Sequence, residues 1–382
     1  MSQHRTLVVG GTGPTGPSLV EGLLDRGHDV TIFHTGRHEL PDGPDVPHLH
    51  GNPFDADSIA EHLGGRRFDT VVATYGRVRL LAEQLAGNCD HLVVVGGTPV
   101  YEGYLNPADQ HPTGMQLPVR ETSHPLVSPD DRRAAAGYRA APVRRTEDAV
   151  FTLAEQGAFT ATYLRYPTVY GPRNPHPWEW TVVKRVLDGR DWMILADDGR
   201  GIHSRAGARN AAHALLLAVD QPEAAANKAY NVADEELVSI RQWAELVSAA
   251  AGRELPIRSL PGELASPGWA VIAFNYQATA SCVLDISRIR EDLGYRDVQP
   301  LRDGLRETVE WMFEHREQLE GDPNIIDPFD YAAEDALLAA YDRCLAELAP
   351  LSEPFCEGLR SMTTPQTAKG AAGAEGSERQ GP

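Results

Sequence analysis

Lysine is nearly missing from this chain. It occurs only at Lys184, Lys228 and Lys369, and the first 183 residues contain none, so chemistry that needs an ammonium group early in the chain is excluded from that half. Cysteine is also scarce: Cys89, Cys282, Cys344 and Cys356 lie far apart with no CxxC pair, which argues against a disulfide framework or a zinc knuckle. Positive charge is in deficit. A formal charge of -19 favours solubility and disfavours nucleic acid, whose binding rests on lysine and arginine contacts to phosphate. No apolar run approaches the length of a bilayer span, so no membrane partner is expected. The start "MSQHRTLVVGGTG" runs into glycines instead of a signal-peptide core, and the cytoplasm is the expected location.

With 382 residues, 42% of them hydrophobic, the chain has enough material for a main domain and a smaller partner. The β-rich run 6–10 ends in glycines, a helical stretch follows through Leu24 and closes at Gly27, and "HDVTIF" reads as a second strand, which makes a βαβ opening. Further buried-strand runs at 69–74, 91–95 and 160–164 alternate with helix-length segments such as 77–87 and 142–156. That alternation predicts an α/β fold, a Rossmann-type doubly wound parallel sheet with a smaller mixed α/β C-terminal substrate lobe. Residues 1–171 are expected to form the dinucleotide-binding domain, completed by about 202–235. The substrate lobe takes 172–201 and 236–330, a helical extension 331–360, and a low-complexity tail 361–382 that has too little apolar content to fold.

"VVGGTGPTG" carries Gly10, Gly11, Gly13 and Gly16 around Thr12, Pro14 and Thr15. Absent side chains let the backbone turn tightly and approach a pyrophosphate, whose charge meets the free N–H groups of the next helix. Pro17 suits that helix's first turn. The second strand ends "TIFHTGRHE", so His34 stands where an Asp or Glu would grip the ribose hydroxyls of NAD. Arg37, with Thr35 and His38, could bind a 2′-phosphate instead, which favours NADP(H) over NAD(H). "HLH" at 48–50 puts two histidines on one strand face, but no neighbouring carboxylate or cysteine spacing signals a metal, and none is expected.

The glycine loop, "GNPFDADSI", "LRYPTVYGPRN", "KAYNVAD", "LDISRIREDLGY" and "LRDGLRETVEWM" occur in an order that resembles the extended short-chain dehydrogenase/reductases, the NAD-dependent epimerase/dehydratase family, over roughly residues 5 to 315. The resemblance implies that Asn52 and Pro53 lie near adenine, Thr74, Tyr75 and Gly76 near the nicotinamide ribose, and Pro167 and Val169 near the nicotinamide. It also implies a homodimer formed through sheet-flanking helices, and a small-molecule substrate.

The family's catalytic set agrees less well. Where it carries Ser or Thr before a VY pair, "VVVGGTPVY" has Gly97, with Thr98 one step along and Tyr101 completing the pattern. Where it carries YxxxK, Tyr138 matches the tyrosine and Pro142 stands at the lysine. A free tyrosine has a pKa of about 10, so roughly one in a thousand is phenolate at pH 7. Pro142 belongs in a helix's first turn, which predicts a helix starting near Ala141 with Tyr138 just ahead of it. The dipole of that helix would favour a phenolate by only about 0.3 to 1 kcal/mol. Tyr138, if it acts, therefore acts as a neutral phenol.

Glu121, His124 and His176 also fall in segments that flank the family's substrate cleft, and His176 is the candidate acid or base. Three functions stay open at this point. The first is an NAD(P)-dependent epimerase, dehydratase or reductase acting on a small carbonyl or hydroxyl compound. The second is a non-redox lyase, hydratase or isomerase on the same fold, and the third a catalytically silent dinucleotide-binding protein.

Overall fold

The computed structural model describes residues 4–37, 39, 43–133, 139–262, 264 and 280–363. The first strand, β1 (Arg5–Val9), is apolar from its second residue's neighbour onward, and its side chains are buried on both faces of the sheet. Such a strand needs helices above and below it. The chain supplies them in alternation: α1 (Gly16–Asp25), β2 (Asp29–His34), β3 (His48–His50), α2 (Ala56–Leu63), β4 (Phe68–Ala73), α3 (Val78–Leu85), β5 (Cys89–Gly97), α4 (Ala141–Glu155) and β6 (Thr160–Tyr166).

It then leaves the sheet through β7 (Thr168–Tyr170), α5 (Trp180–Leu187), β8 (Met193–Ala196) and β9 (Arg205–Gly207), and returns with α6 (Ala208–Asp220), α7 (Pro222–Ala225) and β10 (Lys228–Asn231). The remaining elements are α8 (Ile240–Ala250), β11 (Ile257–Leu260), α9 (Ser287–Leu293), α10 (Leu301–Glu314), α11 (Arg316–Glu320) and α12 (Tyr331–Thr363).

Among the described residues the main sheet has the order β10-β6-β5-β4-β1-β2-β3, and every adjacent pair is parallel. This is the doubly wound Rossmann arrangement. The chain winds outward from β1 to β3, then crosses back to β4, so the winding reverses between β1 and β4. That reversal opens a crevice at the carboxyl ends of the strands, where such sheets bind ligands.

One face of the sheet packs on α1 and α6 through Leu19, Leu23 and Leu215, and the other on α2, α3 and α4 through Ile59, Leu81 and Val150. A separate core around Trp180, Met193, Trp243 and Val309 joins α5, α8 and α10 in the smaller lobe. Residues Met1–Phe329 form one compact unit and Asp330 onward a second. The second unit carries α12, with Pro350 and Pro354 inside the helix. No described helix is long and apolar enough to cross a membrane.

Candidate functional site

The glycine loop is shaped by close backbone approaches. Gly10 (φ +108°) and Gly11 (φ +84°) lie in conformations that L side chains rarely adopt, and a Cβ on Gly10 would sit 2.4 Å from Thr74 Oγ1. Gly16 starts α1 so close to the loop that a Cβ there would lie 2.1 Å from the carbonyl oxygen of Gly11. Gly13, by contrast, faces open space, with nothing within 4 Å of the corresponding position. No side chain caps the amino end of α1 and its first turn holds no acid, so the loop presents uncapped amide donors to an anion. These features fit a dinucleotide pyrophosphate: a cradle that a side chain would fill, aimed at an unopposed helix terminus.

The other expected cofactor residues gather along the same carboxyl edge. Thr74 follows β4, donates its hydroxyl to the carbonyl of Val9 at 3.0 Å, and so bridges β1 and β4 at the reversal point. Gly76 (φ +98°) lies so close to Pro53 that a Cβ on it would sit 2.9 Å from that ring's Cβ, and Arg77 N–H donates to Pro53 O at 2.8 Å. Tyr75 is exposed and meets Phe54 edge-on, ring centroids 4.9 Å apart. Asn52 is exposed, but its side-chain carbonyl accepts from Phe54 N–H at 3.0 Å. Pro167 and Val169 flank the step from β6 to β7 and are half-buried.

At the end of β2 the fold brings in a carboxylate. His34 is buried, Thr35 half-buried and Arg37 exposed, and the strand end does not lack a carboxylate. Glu39 folds back to within 3.8 Å of His34 Nε2, 3.5 Å of His48 Nδ1 and 3.2 Å of His50 Nε2. No spacing in the sequence reveals this, because the loop after β2 and the register of β3 jointly create it. Burial pushes His34 below its ordinary pKa, and the Glu39 carboxylate pulls the other way. His38 lies outside the described residues.

The candidate catalytic residues divide. Thr98 follows β5 directly and is 1% exposed. His176 is exposed on the turn after β7, where its ring stacks on Trp178 with centroids 5.9 Å apart and its backbone N–H donates to Asn174 Oδ1 at 3.0 Å. Tyr138 lies outside the described residues. The helix it precedes does begin at Ala141 with proline in the first turn.

Four cations among the described residues are committed elsewhere. Lys184 pairs with Asp188 at 2.7 Å. Lys228 pairs with Asp292 at 2.7 Å, and it opens β10 at the amino edge of the sheet, opposite the glycine loop. Arg133 is held by Glu102 and Asp131 at 2.9 and 2.8 Å, and Arg144 by Asp148 at 2.6 Å.

A buried polar network underlies this region. Arg165, 3% exposed, donates through Nε to Glu147 Oε2 at 3.1 Å and also pairs through Nη2 with Oε1. Burial opposes the Arg165 charge, and the Glu147 carboxylate outweighs it. Arg165 Nη1 also donates to the Tyr101 hydroxyl at 2.8 Å, and that hydroxyl donates to Asn231 Oδ1 at 2.7 Å. Burial pushes the Tyr101 phenol up, so Tyr101 is a neutral strut. Glu121 accepts from Asn231 N–H at 2.7 Å, and His124 Nε2 lies 2.9 Å from the carbonyl of Glu102. Asn210 is fully buried and bonds Asp234, Val298 and Gln299, while Arg209 is paired with Glu307 at 2.7 Å.

Two groups in the small lobe escaped the sequence reading. Glu179, fully buried, has neither carboxylate oxygen hydrogen-bonded among the described residues. Burial pushes its pKa up to about 6, against the pull of the Arg205 charge. His203 Nε2 is also without a hydrogen-bond partner among the described residues, and burial, then Arg205, pushes that imidazole down to about 4. A cavity of about 240 Å³ lies against Pro14, Ser18, Glu21, Arg173 and Glu307. It adjoins the glycine loop through Pro14 and Pro17, and its walls do not include the strand-end residues Thr74, Thr98 or Val169.

Residues 126–233 match the model of the NAD dependent epimerase/dehydratase family. A Streptomyces 3-diazoavenalumate denitrifying reductase is 26% identical over 318 residues, 79% of this chain and 99% of that protein. A Mycobacterium tuberculosis 3 beta-hydroxysteroid dehydrogenase/Delta 5→4-isomerase is 26% identical over 359 residues, 83% and 93% of the two chains. The solved Thermus thermophilus UDP-glucose 4-epimerase in complex with NAD superposes with a TM-score of 0.60 at 22% identity, covering 81% of this chain and 99% of that one. At that identity the likeness speaks for the fold.

Proposed function

We propose that this chain, whose residues 126–233 match the NAD dependent epimerase/dehydratase family model, binds a nicotinamide dinucleotide along the carboxyl edge of its sheet and acts on a small carbonyl or hydroxyl compound. The glycine loop carries this reading: Gly10, Gly11 and Gly16 allow a turn that side chains would block, and Gly13 leaves room over an uncapped helix terminus. Within this reading the loop amides hold the pyrophosphate, Thr74 to Gly76 border the ribose, and Pro167 and Val169 border the ring. When bound, the nicotinamide supplies hydride exchange. The chain's own task is to orient a substrate there and hold a proton for its oxygen.

For that proton the reading assigns Thr98 and, as a neutral phenol, Tyr138, with His176 as an alternative acid or base. Among the described residues both lysines, Lys184 and Lys228, are ion-paired, to Asp188 and Asp292. The same observation favours a second reading, a non-redox lyase, hydratase or isomerase that keeps the dinucleotide as a fixed group.

Exposed Arg37 supports NADP(H) over NAD(H), and the Glu39 carboxylate works against a 2′-phosphate. Native mass spectrometry of the purified protein, with calorimetry against NADPH and NADH, tests the binding. Expected is one dinucleotide per chain, with NADPH the tighter and its advantage lost in Arg37→Ala. Binding of neither dinucleotide refutes both readings. If a dinucleotide binds, absorbance at the reduced nicotinamide band over a carbonyl panel separates redox from non-redox turnover.

A further inference from the structure

The three histidines at the far edge of the sheet are brought together by strand pairing. β2 and β3 run parallel with His34 opposite His50 and Ile32 opposite His48. Side chains two apart on a strand share a face, as do directly paired ones, so His34, His48 and His50 all project from one side. Their rings are edge-to-face, with centroids 4.9, 5.1 and 5.9 Å apart, which turns nitrogens toward one another. The loop after β2 then lowers Glu39 onto the cluster.

We propose that His34, Glu39, His48 and His50 form a binding site for one divalent transition-metal ion, with zinc the best match. One ligand atom from each residue lies within 4.8 Å of all the others. A tetrahedral zinc ion with bonds of about 2.0 to 2.2 Å requires donor-to-donor separations of about 3.3 to 3.6 Å. The observed pairs bracket that value: His34 Nε2 to His48 Nδ1 is 2.9 Å, and the three contacts of Glu39 are 3.2, 3.5 and 3.8 Å. The wider pairs can close through the side chains of His50 and Glu39, which are 57% and 46% exposed and free to rotate. His34, 4% exposed, provides the fixed anchor and the open side gives an ion its route in.

The donor chemistry selects the same ligand. Three imidazoles and one carboxylate suit zinc and its first-row neighbours, whereas calcium and magnesium prefer all-oxygen sets. An anion is disfavoured, because Glu39 contacts all three histidines and would face it directly. The chain's net charge of -19 adds a long-range pull on cations. The site reverses the expectation drawn from "HLH" by itself, since the decisive carboxylate and third histidine come from β2 and its loop.

The test uses the full, untagged chain, stripped with chelator and dialysed. Zinc titration by calorimetry, with metal content measured by inductively coupled plasma mass spectrometry, should show one zinc per chain. Affinity should fall at least about tenfold in His50→Ala and in Glu39→Gln, and the stoichiometric site should vanish in the His48→Ala/His50→Ala double variant. Cobalt(II) should give an intense tetrahedral d–d band in the wild type that the double variant lacks. His48 and His50 sit on a three-residue edge strand, and unchanged circular dichroism would establish folding. Should the double variant unfold, Glu39→Gln, which lies on a loop, decides alone. No stoichiometric zinc uptake by the wild type, or uptake unchanged in the folded variants, overturns the proposal.

Discussion

Glu179 allows a stability test whose sign is fixed by its surroundings. The carboxylate is fully buried, and among the described residues neither oxygen has a hydrogen-bond partner, so ionisation costs more in the folded chain than in water. Its titration moves from 4.5 to about 6. At about 1.4 kcal/mol per pH unit, the ionised form is about 2 kcal/mol less compatible with folding than the protonated one. A raised folded-state pKa means this contribution is fully present below pH 4.5 and is lost as pH rises through about 6. Glu179→Gln keeps the shape and cannot ionise. It should therefore match the wild type at pH 4 and exceed it by about 2 kcal/mol at pH 8, read from urea midpoints and slopes at both values. Arg205 keeps its charge in both proteins, so its burial cancels in the comparison. An equal gain at both pH values, or no gain at pH 8, would refute the reasoning.

Two further outcomes follow from the packing. Gly16→Ala puts a methyl group about 2 Å from the Gly11 carbonyl, so the loop must shift, and dinucleotide affinity by calorimetry should drop at least about tenfold while far-UV circular dichroism is retained. Glu147→Ala strands the buried Arg165 and should cost about 3 to 5 kcal/mol, whereas Glu147→Leu with Arg165→Met should cost far less; equal losses in urea titrations would show that the pair is not acting as a unit.

The parts legible in the sequence were those encoded locally. The glycine spacing, the apolar runs of β1, β4 and β5, and Pro142 at the head of α4 each depend on neighbours a few positions away, and periodicity reads such neighbours directly. What could not be read depends on distant residues meeting. Glu39 reaches His50 only because β3 pairs with β2 in one register. Asn210 holds Asp234 and the backbone at 298 and 299. Glu179 owes its raised titration to its enclosure, which no local spacing encodes. Tyr138 lies outside the described residues, so the fate of the phenol is a question for Tyr138→Phe kinetics.

The route by which β10 joins the sheet bears on synthesis. β6 ends at Tyr166 and β10, its partner, begins at Lys228, so a ribosome must extrude some sixty more residues before that edge can be covered. Until then β6 is an unpaired, hydrophobic edge of the kind that recruits other chains. α6, which packs on α1, arrives in the same late stretch. A fragment cut near residue 171 would thus be an open template prone to aggregation, and the nascent chain is exposed to that hazard for as long as the intervening lobe takes to emerge.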